Sequence, residues 1–176
     1  QNEFAIIIHG GAGTILRENL SAEKEKAYKL KLEGAIRTGY GILKKGGTSQ
    51  EAVVKTIQVM EESPLFNAGK GAVFTHEETN ELDASFMDGN TLNAGAVAGV
   101  MNVKSPIELA VKVMTDSEHV MLSGQGASIF ASEKGLEMVD PSYFYTEKRF
   151  KSLQRIKDKA KKALDYNDKK AVFYDT

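Results

Sequence analysis

The seven residues Ala94–Val100 limit the fold more than any other stretch of the sequence. All of them are alanine, glycine or valine, so both faces of this stretch are small and apolar. That composition is typical of a central β-strand that other layers cover on each side. Because segments with helical spacing lie before and after it, the sequence predicts an α/β chain.

Three helix starts carry capping signals. Ser21 can cap a helix whose apolar residues recur near one face until Gly46 ends it. Thr48 opens a capping box that predicts a second helix, and Pro64 prevents that helix from continuing. Ser105, followed by a proline and then a glutamate at the third helical position, predicts a third helix to about residue 114.

Four short segments have the patterns of strands. Residues 5–8 form an apolar run that predicts a buried strand. Residues 72–75 and 82–87 predict two strands joined by a polar hairpin loop at 76–80. Residues 120–122 predict a short strand that leads into a glycine turn and a further helix.

The end of the chain is strongly basic. Residues 147–162 combine lysine and arginine with spaced apolar residues, which predicts one peripheral amphipathic helix. A solvated face explains this charge better than an acidic partner does, because Glu147 and Asp158 interrupt it. Residues 165–176 lack any period, so we expect a mobile tail.

The composition argues against several classes of protein. The 23 basic and 24 acidic residues leave a net charge of -1, which disfavours nucleic-acid binding. No apolar run approaches the roughly 20 residues of a membrane span. The absence of cysteine excludes disulfides and thiolate chemistry. Gln1 in place of methionine is compatible with a removed signal peptide or with an edited N-terminus, so cytoplasmic and periplasmic locations both stay open.

Pattern alone identifies no catalytic constellation. His9 precedes three glycines, but no nucleophile motif such as Gly-x-Ser-x-Gly accompanies it. His76 and His119 lie in separate segments, which disfavours a three-histidine metal site. The glycine turns lack the spacing of dinucleotide-binding or Walker loops, so a nucleotide site is a weak alternative. Asp83 and Asp88 are better explained as a strand position and a turn residue than as an acid–base pair.

An ordered set of motifs gives the sequence a family resemblance. The motifs are His9-Gly10-Gly11-Ala12-Gly13, Asn67-Ala68-Gly69-Lys70-Gly71-Ala72-Val73-Phe74-Thr75, Glu81-Leu82-Asp83-Ala84, Met87-Asp88-Gly89 and Ala94-Gly95-Ala96-Val97-Ala98-Gly99-Val100. Each motif is weak alone, whereas the ordered set is specific. In this order the set resembles the plant-type L-asparaginase/isoaspartyl peptidase family of N-terminal-nucleophile hydrolases, and the resemblance covers about residues 4–140.

The resemblance implies a fold and a reaction. Members have a four-layer αββα sandwich, and their precursors cleave themselves before a threonine that becomes the nucleophile of a separate β-chain. The threonine hydroxyl attacks the side-chain amide of L-asparagine or the isopeptide bond of a β-aspartyl dipeptide, and water hydrolyses the β-aspartyl acyl-enzyme. Backbone and hydroxyl donors stabilise the oxyanion, and no cofactor is needed for catalysis. The family's Thr-Val-Gly strand does not occur in this sequence, which would therefore be the α-subunit.

The resemblance also implies which residues of this chain support the site. Asn67 matches an asparagine that orients the nucleophile, while Gly10 and Gly11 match a supporting glycine loop. His9 belongs to that loop without acting as a base. Family members wrap a structural sodium ion with main-chain carbonyls, which suit a hard monovalent cation. The matching positions are Met60, Glu61, Ser63, Phe66, Ala68 and Lys70.

The implied assembly joins this chain to the β-subunit of the same precursor, usually as an (αβ)2 heterotetramer. Residues 1–163 would be the α-subunit half of the hydrolase domain, and residues 164–176 would be a flexible linker before the cleavage site. Thr176 is not taken as the nucleophile, because its amine is acylated and no strand follows it. A glycosylasparaginase-like half, which the motif at residues 9–13 disfavours, and a non-enzymatic glycine-loop binding module remain alternatives.

Overall fold

A computed structural model describes residues 3–11 and 20–171 of the chain, with side chains to residue 161. Over this part of the chain, five α-helices and a three-stranded sheet form a mixed α/β structure, as the sequence predicts. The helices are α1 (Ala22–Lys44), α2 (Ser49–Glu61), α3 (Pro106–Asp116), α4 (Gly124–Glu133) and α5 (Glu147–Ala171). The strands are β1 (Leu82–Met87), β2 (Ala94–Val100) and β3 (Met121–Ser123).

The predicted caps of the first two helices are confirmed. The hydroxyl of Ser21 accepts a hydrogen bond from the Lys24 amide at 3.3 Å, and α1 ends just before the glycine pair at 46–47. The hydroxyl of Thr48 accepts from the Glu51 amide at 3.1 Å and caps α2. Side-chain caps of this kind satisfy backbone donors that the first turn of a helix leaves unpaired.

β2 is the central strand of the sheet. It pairs antiparallel with β1 and parallel with β3. The β1–β2 register shifts between Leu82 and Ala84, and at this bulge Asp83 accepts a hydrogen bond from the Gly99 amide at 2.9 Å. Asp88, at the end of β1, accepts from the Asn90 amide at 2.9 Å and organises the following turn. The interpretation of these two aspartates as a strand position and a turn residue is confirmed.

One face of the sheet packs against helices of this chain. Gly95 of β2 approaches α3 so closely that a Cβ at this position would overlap the Ala110 carbonyl oxygen. The core on this side includes the fully buried Leu109 of α3, and it continues to Phe144 in the turn that precedes α5. Its other buried members are Ala72, Leu82, Val97, Val100, Val103, Val113, Ala127 and Ala131.

The opposite face of the sheet is not covered by the described residues, so the structure confirms the predicted cover of β2 for one face only. Strand pairing places Ser85 and Ala96 beside each other on this face, and Met87 beside Ala94. Met87 is 59% exposed and Met121, which pairs with Ala96 from β3, is 54% exposed. A sheet with one bare face of small and apolar side chains requires another layer to complete its burial.

The predicted strand at residues 5–8 is wrong for the described structure. Residues 3–11 have no strand hydrogen bonding, and Ile7 is 93% exposed. Ile6 does pack inward, because its Cδ1 lies against Gly39 of α1. An apolar run becomes a strand only when another strand supplies its hydrogen-bond partners, and the described part of this chain supplies none to it.

Residues 72–75 do not form the predicted strand, because side chains bond to their backbone groups instead. Asn80 Nδ2 donates to the carbonyl oxygens of Ala72 and Val73, each at 3.1 Å, and Asn67 Oδ1 accepts from the Val73 amide at 2.9 Å. The backbone groups that a strand would use are therefore occupied. The turn at 76–80 is present, closed by the Thr75 amide donating to the Thr79 carbonyl at 2.7 Å.

The predicted basic helix is confirmed, and it is longer than residues 147–162. α5 continues as a helix to Ala171, so residues 164–171 of the predicted linker are helical in the structure. Residues 172–176 lie outside the described residues. None of the described helices combines the length and the hydropathy needed to cross a membrane.

Candidate functional site

Asn67 lies in residues 60–71, here called the Asn67 loop, which run from the end of α2 through a 3-10 turn at Gly69–Gly71. The side chain of Asn67 is exposed, and its Oδ1 accepts the hydrogen bond from the Val73 amide. Because the oxygen end of the carboxamide is engaged by the backbone, its amino end is the part available to donate to another group. The geometry therefore makes Asn67 a fixed, outward-facing hydrogen-bond donor.

Two glycines allow the Asn67 loop to close on itself. A Cβ at Gly69 would overlap the carbonyl oxygen of Glu61, and a Cβ at Gly71 would overlap that of Phe66. Gly69 also has a φ of +49°, in the left-handed region that glycine adopts at little cost. The carbonyl oxygens of Glu61 and Phe66 consequently approach the backbone that follows Asn67.

The side chain of Glu61 fixes the start of the Asn67 loop. It is buried, and its two carboxyl oxygens accept hydrogen bonds from the Ser105 hydroxyl at 2.8 Å and from the Ile107 amide at 2.9 Å. Burial raises the pKa of this carboxyl to about 7, although both hydrogen bonds act in the opposite direction. By accepting from the first turn of α3, Glu61 ties the end of α2 to the helix that supports the sheet.

α1 holds the middle of the Asn67 loop and also contacts the glycine loop. The Tyr28 hydroxyl donates to the Leu65 carbonyl at 2.9 Å, and its ring packs edge-on against Phe66 with centroids 5.8 Å apart. One turn later, the Leu32 side chain lies against Gly10. Residues four apart on a helix share one face, so α1 presents these two loops side by side.

The glycine loop is described only as far as Gly11, and its residues 12 and 13 lie outside the described residues. Gly11 has a φ of +113°, which a side chain would strain, and its amide donates to His9 Nδ1 at 3.2 Å. The histidine ring therefore bonds within its own loop.

α5 and the turn before it hold the far end of the Asn67 loop. Arg149 Nε donates to the Gly71 carbonyl at 2.7 Å. Lys70 Nζ lies 5.0 Å from the ring centre of Tyr143 in a cation–π contact. The Asn67 loop is thus attached to α1, α3 and α5 as well as to α2, which gives it a defined conformation.

The side chains of the described residues contain no group of three or more His, Asp or Glu that could hold a metal ion. The candidate ligands that the Asn67 loop offers to a cation are its main-chain carbonyls, because the oxygens of the Glu61 and Asn67 side chains already accept hydrogen bonds. The Met60 carbonyl accepts from the Ser63 amide and the Ala68 carbonyl accepts from the Gly71 amide, each at 3.0 Å, and each oxygen retains a second lone pair. Such a donor set fits a hard cation of low charge.

The sequence singles out Asn67 and the glycine loop as candidates, but it does not indicate the side chains that hold them. In the sequence, Tyr28 is one apolar position of the first predicted helix, Glu61 is a candidate cation ligand through its carbonyl, and Arg149 is one of several basic residues at 147–162. Their partners lie 37 to 78 positions away in the sequence. No local pattern contains a signal for contacts of that separation.

Comparison with known proteins identifies relatives of the chain. The sequence profile of the family described as Asparaginase matches residues 2–175. The chain is 46% identical to a putative isoaspartyl peptidase/L-asparaginase of Dictyostelium discoideum, over 92% of this chain and 47% of the relative. It is 45% identical to an isoaspartyl peptidase of Escherichia coli K12, over 92% and 50% of the two chains. It is 47% identical to a plant-type L-asparaginase of Pyrococcus abyssi, over 90% and 49%. The chain spans about half the length of these relatives.

Proposed function

The chain belongs to the asparaginase family, and we propose that it is the α-subunit of an autoprocessed threonine amidohydrolase. The proposed enzyme hydrolyses L-asparagine to L-aspartate and ammonia, and it cleaves β-aspartyl dipeptides. The names of the relatives, isoaspartyl peptidase and plant-type L-asparaginase, support both substrates. The match to about half of each relative supports a subunit of a longer precursor.

The bare face of the sheet is the observation that carries this proposal. Helices cover one face of β1–β3, while Met87 and Met121 are exposed on the other. In a four-layer αββα sandwich, a second sheet packs against such a face at a distance of about 10 Å. We assign that second sheet to the β-subunit, which would also supply a strand partner for residues 5–8 and expel water from Ile7.

The proposed reaction begins when the hydroxyl of the β-subunit's N-terminal threonine attacks the side-chain carbonyl carbon of the substrate. The free α-amine of that threonine accepts the hydroxyl proton, which later leaves with the ammonia. Water then hydrolyses the acyl-enzyme ester, which releases aspartate and restores the threonine. In this scheme Asn67 orients the nucleophile through its amino group, and the Gly10–Gly11 backbone supports the same site from the side of α1.

We further propose that the Asn67 loop holds a structural sodium ion. The carbonyl oxygens assigned to the ion are those of Met60, Glu61, Ser63, Phe66, Ala68 and Lys70. Support comes from the close approach of Gly69 and Gly71 to two of these oxygens, which no side chain at either position would permit. A bound cation would offset the repulsion between converging carbonyl dipoles and so stabilise the loop that carries Asn67.

Removal of sodium is therefore expected to destabilise the assembled enzyme. Exchange from NaCl into choline chloride at equal ionic strength should lower Tm by several degrees, because a ligand that binds only the folded state stabilises it by mass action. Differential scanning fluorimetry over a titration of NaCl measures this effect, and activity should recover along the same curve. Identical Tm values in NaCl and choline chloride would count against the site.

Expression of the complete precursor tests the function itself. Intact-mass analysis should find two chains, the second of which begins with threonine, and replacement of that threonine by alanine should leave one uncleaved, inactive chain. The purified protein should release ammonia from L-asparagine and aspartate from a β-aspartyl dipeptide. Mass photometry should find an (αβ)2 assembly. A precursor that stays whole and hydrolyses neither substrate would refute the proposal, and a stable folded monomer of residues 1–176 alone would refute the obligate pairing.

A further inference from the structure

α5 and the turn before it run along the segment that follows Asn67. The turn contributes the cation–π contact between Tyr143 and Lys70. Phe150 of α5 packs edge-on against Phe74, with centroids 5.5 Å apart. Further pairs along the same contact are Phe74–Tyr145, Glu78–Gln154 and Glu78–Lys157. Residues 70–78, which follow Asn67, therefore contact α5 or the turn before it through several of their side chains.

Among the contacts from α5, the one made by Arg149 reaches the backbone at the point nearest to Asn67. Its Nε donates to the Gly71 carbonyl at 2.7 Å, and the contact is partly buried. A hydrogen bond from a charged donor is stronger than a neutral one, and partial burial reduces competition from water. The Gly71 carbonyl is thus restrained by α5.

Gly71 lies two residues before Val73, whose amide aligns Asn67. The Val73 amide donates to Asn67 Oδ1 at 2.9 Å, and this bond restrains the oxygen end of the Asn67 carboxamide. On the far side of Val73, Phe74 is held by Phe150. Arg149 and Phe150 therefore restrain the backbone on both sides of the amide that orients Asn67.

We propose that Arg149 is a positioning residue for the reaction. By holding the Gly71 carbonyl, it keeps the Val73 amide where it aligns the carboxamide of Asn67, without touching the substrate. The inference rests on the proposed function, in which Asn67 orients the nucleophile. It also gives one basic residue of α5 a role beyond the solvated charge that the sequence predicts for this helix.

The test uses the complete precursor, processed to the αβ enzyme. Arg149→Met keeps the length of the side chain and removes its donors, and it should lower kcat about tenfold while KM changes by less than twofold. Arg149→Lys, which can still donate to the Gly71 carbonyl, should stay within about threefold of the wild type. Arg155→Met is the matched control, because Arg155 is exposed on the same helix and contacts Ser152 of that helix. It should change kcat by less than twofold.

A double-mutant cycle with Asn67→Ala separates positioning from general damage. If Arg149 acts through Asn67, Arg149→Met should cause no further loss of kcat in the Asn67→Ala background. A full tenfold loss in that background, or an unchanged kcat in the single variant, would overturn the proposal. If Arg149→Met is not recovered as a folded enzyme, the same cycle is measured with Arg149→Gln, whose shorter side chain does not reach the Gly71 carbonyl, and an equal loss of kcat in both backgrounds overturns the proposal. A wild-type precursor without cleavage or hydrolysis is the separate failure of the proposed function.

Discussion

The Gly71→Ala variant of the assembled αβ enzyme is expected to lose at least about 100-fold in kcat/KM for L-asparagine. A Cβ at this position would overlap the Phe66 carbonyl oxygen and would lie 3.0 Å from the Pro64 carbonyl carbon and oxygen. All of these atoms belong to the backbone, so the Asn67 loop must open to admit the methyl group. A displacement of about 1 Å in a catalytic group can cost about 100-fold in rate. Steady-state assay of ammonia release measures the loss.

Gly34→Ala is the control for that variant, since it makes the same chemical change in open space. Gly34 is exposed within α1, and apart from the adjoining backbone of α1 no atom lies within 4 Å of a Cβ built there. Alanine inside a helix is more favourable than glycine by roughly 0.5–1 kcal/mol, so Tm should rise slightly and activity should stay at the wild-type level. Near-normal activity in Gly71→Ala would mean that the tight closure of the Asn67 loop is not needed for the reaction.

The Phe144→Ala variant is expected to lose about 3–5 kcal/mol of unfolding free energy, the usual cost of removing a buried aromatic side chain. Phe144 is fully buried in the core between the sheet and the helices, and Tyr143 packs edge-on against it with centroids 5.1 Å apart. Loss of the ring leaves a cavity that neighbouring side chains fill only in part. Guanidinium chloride denaturation at one fixed protein concentration measures the change, because subunit assembly makes the midpoint concentration-dependent.

Ile156→Ala is the matched control for the core variant. Ile156 lies on α5 and is 63% exposed, so its truncation should change the unfolding free energy by no more than about 0.5 kcal/mol. Equal effects of the two truncations would show that the turn at residues 141–144 is not part of the core. A small effect of Phe144→Ala alone would show that the surrounding residues collapse into the space.

Elements whose signals are local were predicted well from the sequence. Ser21 and Thr48 cap helices through bonds to residues three positions away, and the glycine pair at 46–47 follows the end of α1. The alternation at residues 82–87 and the small residues at 94–100 gave β1 and β2 with their observed bounds. In each case the deciding interactions lie within one turn or one hairpin.

Elements that depend on distant partners could not be predicted in this way. The apolar run at residues 5–8 has the composition of a strand, but pairing decides whether it becomes one. Residues 72–75 do not form the predicted strand, because the side chains of Asn67 and Asn80 bond to their backbone groups. No periodicity in the sequence indicates such bonds. The same division applies to the candidate site. The family resemblance singles out Asn67, whereas the contact of Arg149 with Gly71 is visible only in the folded chain.

The bare face of the sheet has a consequence for biosynthesis. In the proposed precursor this half leaves the ribosome first, and an equal length of chain takes roughly 10–35 s to follow at about 5–20 residues per second. During that delay the face is open to contact with other nascent chains. Apart from Met87 and Met121, this face presents small side chains such as Ser85, Ala94 and Ala96. These side chains offer little apolar area for contact with other chains. The same small residues that let a second sheet approach closely thus also limit aggregation before that sheet exists.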